Sequence, residues 1–287
     1  MAFLYEYAVV SQIPRSFEEF LSSPDANITV KKGGKFNYEE ACNEREKFVE
    51  ALRQNGVDVL EMEADERHPE CVKVDDTAVI INGTALMCNP CRCHRQGEVN
   101  PIRHTLKKEL GLKIVELNTE NAQVEGSDVL FTGQEIIVGI SAHTNEAGAH
   151  AVARAFPEYA TSIVKLPQPF RSLKDAVGVA GINVLAVGES EAAKKLLKEI
   201  GRVASHTYKV ITLPEDHAAN VLYVNRQLLH FSSHMIPKST GVFENKIDYN
   251  RNQVHIPELF NAGIPLTKLA LFAAPFGRQK NIISTIP

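Results

Sequence analysis

A strand-turn-strand signature recurs four times along this chain, and each of the first three copies is followed by helical periodicity and one further apolar strand. The first copy spans Asp76 to Met87 and hinges on Asn82-Gly83. That pair closes tight antiparallel hairpins because both residues adopt positive φ at low cost. The second copy spans Ser127 to Ile140 around Gly133, and the third Ala176 to Gly188 around Gly181-Ile-Asn183. The fourth spans Ala219 to Phe231 and turns at Asn225-Arg226. The hinges lie roughly 45–50 residues apart, the length of a supersecondary unit that cannot bury its apolar face alone.

The segments after the hairpins repeat as well. Helical patterns cover Asn100 to Leu110, Thr144 to Phe156 and Glu189 to Ser205. Short apolar strands come next, at Leu112–Leu117, Ser162–Leu166 and Tyr208–Leu213. The ends supply a fifth, divided unit: Ala8–Val10 and Val57–Leu60 flank a helix at Tyr38–Asn55, and Leu269–Ala274 closes from the far end. Five strand-strand-helix-strand units predict an α/β fold of radial type, a five-bladed α/β propeller. No Gly/Ser-rich or Pro-rich linker interrupts them, so residues 1–287 are expected to form a single domain.

Charge narrows the partners. Thirty-one Lys and Arg against 35 Asp and Glu leave a net −4, with no basic excess for neutralising phosphates, so nucleic acid is excluded as the expected partner. No apolar run approaches the ~20 residues that span a bilayer, and the first residues lack the basic start of a signal peptide. A cytoplasmic protein, with no membrane partner, is therefore expected. All five cysteines, Cys42, Cys71, Cys88, Cys91 and Cys93, lie in the first third. Such placement suits reduced thiols rather than a disulfide framework.

Two stretches carry a resemblance: Pro69-Glu-Cys-Val-Lys-Val-Asp-Asp-Thr-Ala-Val79, and Val124-Glu-Gly-Ser-Asp-Val-Leu-Phe-Thr-Gly133 with its continuation to Gly148. They are similar to the dimethylarginine dimethylaminohydrolase (dimethylargininase) family, and the likeness runs from Ala8 to Pro257. It implies the pentein fold shared with arginine deiminases and amidinotransferases. It also implies hydrolysis of methylated arginines to citrulline by a cysteine nucleophile, a histidine base and acids that grip the guanidinium, with no cofactor required.

Residue by residue, the resemblance places Glu70, Asp75 and Asp76 among the substrate-gripping acids and Glu125 as the acid partner of the base. Arg95 matches an arginine that binds the substrate carboxylate, and His143 replaces a second one. Ser172 stands where the family has its histidine, and Phe272 where it has the nucleophile. Thr267 replaces a nearby acid. No cysteine follows Cys93. The expected protein is thus a relative that lacks the catalytic pair and keeps an acidic pocket for a cationic or guanidino small molecule. Two other readings stand beside it: an active hydrolase on guanidino compounds by an altered mechanism, and an interaction protein using the propeller surface. Oligomerisation is left open.

One local motif stands apart. Cys88-Asn-Pro-Cys91-Arg-Cys93-His94 comes after the first hairpin and offers soft ligands for zinc or copper at Cys88, Cys91, Cys93 and His94. The second ligand pair of a closed structural site is missing, which favours reduced loop thiols.

Overall fold

The computed structural model describes residues 2–26 and 35–274, so both ends of the expected 1–287 domain lie outside the described residues. The hinges are where the backbone commits. Asn82 and Gly83 take φ of 47° and 77°, Asn183 takes 59°, and Asn225 and Arg226 take 51° and 66°. Each closes an antiparallel hairpin, and positive φ matches the turn to strand twist.

In chain order the first elements are β1 (Tyr7–Ser11), α1 (Ser16–Leu21), α2 (Tyr38–Gln54) and β2 (Asp58–Met62). Next come β3 (Ala78–Ile81), β4 (Thr84–Met87), α3 (Val99–Lys108) and β5 (Lys113–Val115). They are followed by β6 (Val129–Phe131), β7 (Glu135–Ile140), α4 (Glu146–Ala155) and β8 (Ala160–Lys165). The third repeat holds α5 (Leu173–Ala176), β9 (Val177–Gly181), β10 (Val184–Gly188), α6 (Glu191–Val203) and β11 (Lys209–Leu213). The fourth holds β12 (Leu222–Val224), β13 (Gln227–Phe231), α7 (Ser239–Lys246) and β14 (Arg251–Val254). The short helix α8 (Pro257–Asn261) and β15 (Leu271–Ala273) complete the described chain.

These strands form five three-stranded sheets. In four of them the middle strand pairs antiparallel with its hairpin partner and parallel with the strand that returns after the helix, as β4 does with β3 and β5. The fifth sheet has the same pattern but draws on both ends: β1 pairs antiparallel with β15 and parallel with β2, with Ala8 opposite both Phe272 and Val59. Middle strands such as Glu135–Ile140, buried along nearly their whole length, read as continuous apolar runs because both faces are covered.

The helices begin where polar caps dictate. Asn37, Asn145 and Ser190 accept backbone N–H groups of Glu40, Gly148 and Ala193 at the starts of α2, α4 and α6. Their apolar stripes pack on the sheets, with Phe48 and Leu52 of α2 fully buried. Burying such a side chain stabilises by ~1.5–3 kcal/mol. The helix α7 escapes sequence patterning: Ser239–Lys246 buries only Ser239, Thr240 and Phe243, so no apolar stripe marks it.

One further element recurs. A single helical turn precedes the first strand of every sheet, at Val74–Thr77, Gly126–Asp128, α5, Asp216–Ala219 and Leu266–Lys268. The turn at 216–219 packs on α5, α5 on 126–128, that turn on 74–77, and 74–77 on 266–268. Asn220 closes the circuit, donating from Nδ2 to Thr267 Oγ1 at 2.7 Å while its Oδ1 accepts the Thr267 N–H at 3.2 Å. Two contacts along it require glycine. A Cβ on Gly126 would sit 1.9 Å from the Asp75 carbonyl oxygen, and one on Gly178 would sit 2.1 Å from that of Ala219.

Candidate functional site

The circuit of helical turns gathers acidic side chains, and the fold answers most of them with a cation. Lys73 Nζ lies 2.6 Å from Glu70 Oε1, and Arg92 and His94 reach Glu70 Oε2 at 2.9 and 3.0 Å. Lys174 Nζ contacts both oxygens of Asp75, at 2.7 and 2.8 Å. Arg95 donates to Asp76 Oδ2 at 2.7 Å and to Glu98 Oε2 at 2.8 Å. Lys268 Nζ reaches Asp76 from the other side at 3.1 Å. Five carboxylates (Glu70, Asp75, Asp76, Glu98, Glu125) thus meet five Lys or Arg residues (Lys73, Arg92, Arg95, Lys174, Lys268).

Electrostatics follows from these pairings. Burial raises Glu70, but Lys73, Arg95 and Arg92 outweigh it and bring the carboxyl down to about 2. Burial also opposes ionisation of Asp76, and Lys268 and Arg95 still hold it well below the ordinary range. Asp75 goes the other way: burial exceeds the attraction of Lys174 and lifts it to about 6. Arg95 loses hydration, yet Glu98 and Asp76 push its pKa well above the ordinary value. Asp128 has no cation in hydrogen-bond contact; it accepts from Ser141 Oγ, Thr144 Oγ1 and the Leu173 N–H at 2.6, 2.7 and 3.0 Å. Burial raises Asp128 to about 7.

Two cavities adjoin the network. The larger, about 850 Å³, is walled by Glu125, His143, Asp175 and Asp216 together with Lys73, Arg92, Arg171 and Lys268. The smaller, about 130 Å³, is largely apolar and includes Asp75, Lys174, Thr267, Tyr5 and Phe272.

The expected site residues therefore divide. Glu70, Asp76, Arg95 and Glu125 come together, but only Glu125 among them borders the larger cavity. Arg95 differs from its expected place in a carboxylate clamp: its guanidinium is fully buried and engaged with Asp76, Glu98 and the Lys73 carbonyl. Phe272 faces the smaller cavity and packs on the Tyr5 ring at 5.1 Å. Ser172 starts α5, its backbone N–H donating to Asp175 Oδ2 at 3.1 Å. His143 sits at the larger cavity with Nδ1 3.1 Å from Cys91 Sγ and 3.9 Å from Glu125 Oε1.

The four-residue loop motif does not assemble. Cys88 is buried in an apolar cluster with Val124 and Val138, Cys93 is exposed, and His94 is engaged with Glu70. Among the described residues, the one group of three or more ligand-type side chains that converges is Cys91, Glu125 and His143. Four ligands within seven residues cannot converge when they are divided between core and solvent. Sequence reasoning also missed Lys73, Lys174 and Lys268, whose partners are set by folding.

Comparison with known proteins places this geometry. A family profile described as N,N dimethylarginine dimethylhydrolase, eukaryotic, matches residues 22–172, more than half of the chain. The chain belongs to the dimethylargininase family. Human DDAH2 is 37% identical over 228 residues, 77% of this chain and 79% of that protein. The N(G),N(G)-dimethylarginine dimethylaminohydrolase of Pseudomonas aeruginosa is 25% identical over 206 residues, 70% of this chain and 77% of the enzyme. Dimethylargininases act without a cofactor.

The fold agrees. A cysteine-to-serine mutant of the Pseudomonas aeruginosa dimethylargininase, complexed with citrulline, superposes with a TM-score of 0.79, covering 94% of this chain and all of that one at 21% identity. The N-terminal domain of ArgZ, a cyanobacterial arginine dihydrolase, gives 0.76 at 15% identity over 94% of this chain and 98% of that domain. At such identities the likeness is one of fold, α/β of the pentein type. No helix among the described residues is long and apolar enough to cross a membrane.

Proposed function

We propose that this chain is a catalytically inactive dimethylargininase relative that binds a small cationic or guanidino molecule in its larger cavity. One observation carries the reading: Glu125 Oε1 is buried without a hydrogen-bond donor. Glu70, Asp75, Asp76 and Glu98 each hold a Lys or Arg nitrogen within 2.8 Å, whereas the nearest cation to Glu125, Arg95, stands off at 3.9 Å. A buried acceptor without a donor costs ~1–3 kcal/mol, which an incoming N–H would recover. A planar guanidinium offers several such donors and would be met by Glu125 and Asp175.

The basic residues around the mouth, Arg92, Arg171 and Lys268, favour a ligand that also carries an anionic group, as a methylated arginine does. Catalysis is read as absent because Ser172 and Phe272 occupy the positions matching the base and nucleophile, and no cysteine follows Cys93. The circuit of five helical turns supports a five-bladed propeller, and the unbroken repeats support a single domain. Five free thiols support a cytoplasmic home.

Calorimetry with asymmetric dimethylarginine and methylguanidine tests the reading. Binding is expected for both and should weaken about tenfold in Glu125→Gln, the loss of a charged hydrogen bond. Citrulline production from asymmetric dimethylarginine, or binding indifferent to Glu125→Gln, would overturn it.

A further inference from the structure

Where the carboxylate network ends at Glu125, three side chains of different chemistry meet at the edge of the larger cavity. Cys91 comes from the loop after β4, His143 from the segment after β7, and Glu125 from the residue before the 126–128 turn. One ligand atom from each of the three lies within 4.8 Å of those of the other two. We propose that Cys91, His143 and Glu125 form a zinc-type metal site whose fourth position opens on the cavity.

The donor set selects the metal class. Thiolate, imidazole and carboxylate together suit zinc, while magnesium and calcium take oxygen ligands alone. Spacing is close to what coordination needs. Around a tetrahedral zinc with bonds of ~2.0–2.3 Å, ligand atoms stand about 3.3–3.6 Å apart. Here the Sγ–Nδ1 distance is 3.1 Å and the Nδ1–Oε1 distance 3.9 Å. Shifts of about half an ångström bring both of these pairs to coordination spacing, within reach of side-chain rotation.

Two independent observations point to a ligand. The first is Glu125 Oε1, buried and lacking any donor. The second is the scaffold behind the three. Asp128 accepts from Ser141 Oγ and Thr144 Oγ1; Ser141 Oγ accepts the His143 N–H at 2.9 Å, and Thr144 Oγ1 accepts the Glu125 N–H at 3.1 Å. These bonds fix the backbone that carries His143 and Glu125.

Charge balances as well. On binding, the Cys91 thiol releases its proton to solvent and the imidazole stays neutral. One thiolate and one carboxylate then cancel the two charges of the ion. Relative to the empty site, with Glu125 ionised and Cys91 protonated, the filled site is neutral and so gains one positive charge. This site is distinct from the loop motif, since Cys88 is buried in an apolar cluster, Cys93 is exposed and His94 is engaged with Glu70. It does not depend on the guanidino reading, although an ion on Glu125 would exclude a guanidinium from the same oxygen.

Cobalt(II) is the probe, because it reports thiolate ligation by colour. Titration of the full chain should saturate at one equivalent with a thiolate-to-cobalt charge-transfer band and the visible bands of a four-coordinate ion, both bleached by zinc. Cys91→Ser and His143→Gln should each abolish those bands and weaken zinc by about 100-fold, at the upper limit for losing an outer partner. Cys93→Ser should change nothing. Circular dichroism establishes that each variant is folded; if Cys91→Ser is not, His143→Gln decides. No charge-transfer band at one equivalent of cobalt, or a band that survives His143→Gln, would sink the proposal. A band lost in Cys93→Ser and kept in Cys91→Ser would do so too, by moving the metal to the loop.

Discussion

Lys268 Nζ stands 3.1 Å from Asp76 Oδ2, reaching across 192 positions of sequence to an acid that Arg95 already contacts. Both side chains are nearly or wholly buried, so the chain places its own ammonium beside the acids expected to receive a foreign cation. Lys268→Met should remove that plug. Methylguanidine affinity should rise severalfold, while stability falls by ~1–3 kcal/mol from the uncompensated part of Asp76. Calorimetry and urea denaturation measure the two effects. Unchanged affinity would mean that Lys268 has no part in ligand access.

Arg95 should behave as a structural cation. Arg95→Met leaves Asp76 and Glu98 facing each other with less compensation, and breaking a buried ion pair in this way costs ~3–5 kcal/mol. Arg95→Lys should also destabilise, since one ammonium cannot serve both acids with a planar fork. Denaturant midpoints test this. A variant of normal stability that has lost only amino-acid binding would restore Arg95 to a carboxylate clamp.

Gly126→Ala should be among the most damaging single substitutions. Its Cβ would meet the Asp75 carbonyl oxygen at 1.9 Å, and that oxygen is backbone and cannot swing aside. Displacing one helical turn from the next should cost ~3 kcal/mol or more, beyond ordinary overpacking. Thermal unfolding of the variant beside Gly201→Ala, where an added Cβ meets nothing within 4 Å, gives the comparison.

Stability should decline between about pH 4 and pH 7 through Asp128. Its carboxyl has an ordinary value of 3.8 and is raised to about 7 in the folded chain, so the folded state binds the proton more tightly. The contribution is therefore fully present below about 4, falls as pH rises through the folded value, and is flat above it. Asp75, lifted to about 6, acts in the same sense. Glu70, brought down to about 2, acts in reverse, losing stability only as pH falls below its ordinary 4.5. Urea midpoints against pH should show the decline, and Asp128→Asn should flatten it.

Phe272→Cys combined with Ser172→His should not restore citrulline formation. Phe272 packs on Tyr5 beside the smaller cavity, whereas Glu125 borders the larger one, so a thiol there would lack the acid partner. Loss of a cooperating catalytic pair costs ~10⁶-fold in rate, and returning the residue types without their geometry recovers little of it. Citrulline release from asymmetric dimethylarginine measures it.

The repeats were legible because each depends on chemistry a few residues long. Asn82-Gly83 and Asn225-Arg226 need positive φ whatever the rest of the chain does, and the helices of the first three repeats carry regular apolar stripes. The helix α7 was not legible, because it buries too few apolar residues to show a period. Among site residues, Glu70, Asp76 and Glu125 could be placed together from their motifs. Their cations could not, since Lys174 lies 99 positions from Asp75 and nothing local marks it. The Cys88–His94 string, where the missing second ligand pair already favoured reduced thiols, shows the same limit: proximity in sequence offered four ligands, and folding drew only Cys91 toward His143 and Glu125.

The sheet that joins β15 to β1 also sets a timetable for synthesis. Of the described strands β1 emerges from the ribosome first and its antiparallel partner β15 last, so one edge of β1 waits while the other thirteen are made. Until then its open N–H and C=O groups offer a template for a wrong strand, the hazard of any late-closing edge. The clasp that completes the folded chain is therefore also the place where a nascent copy most needs shelter.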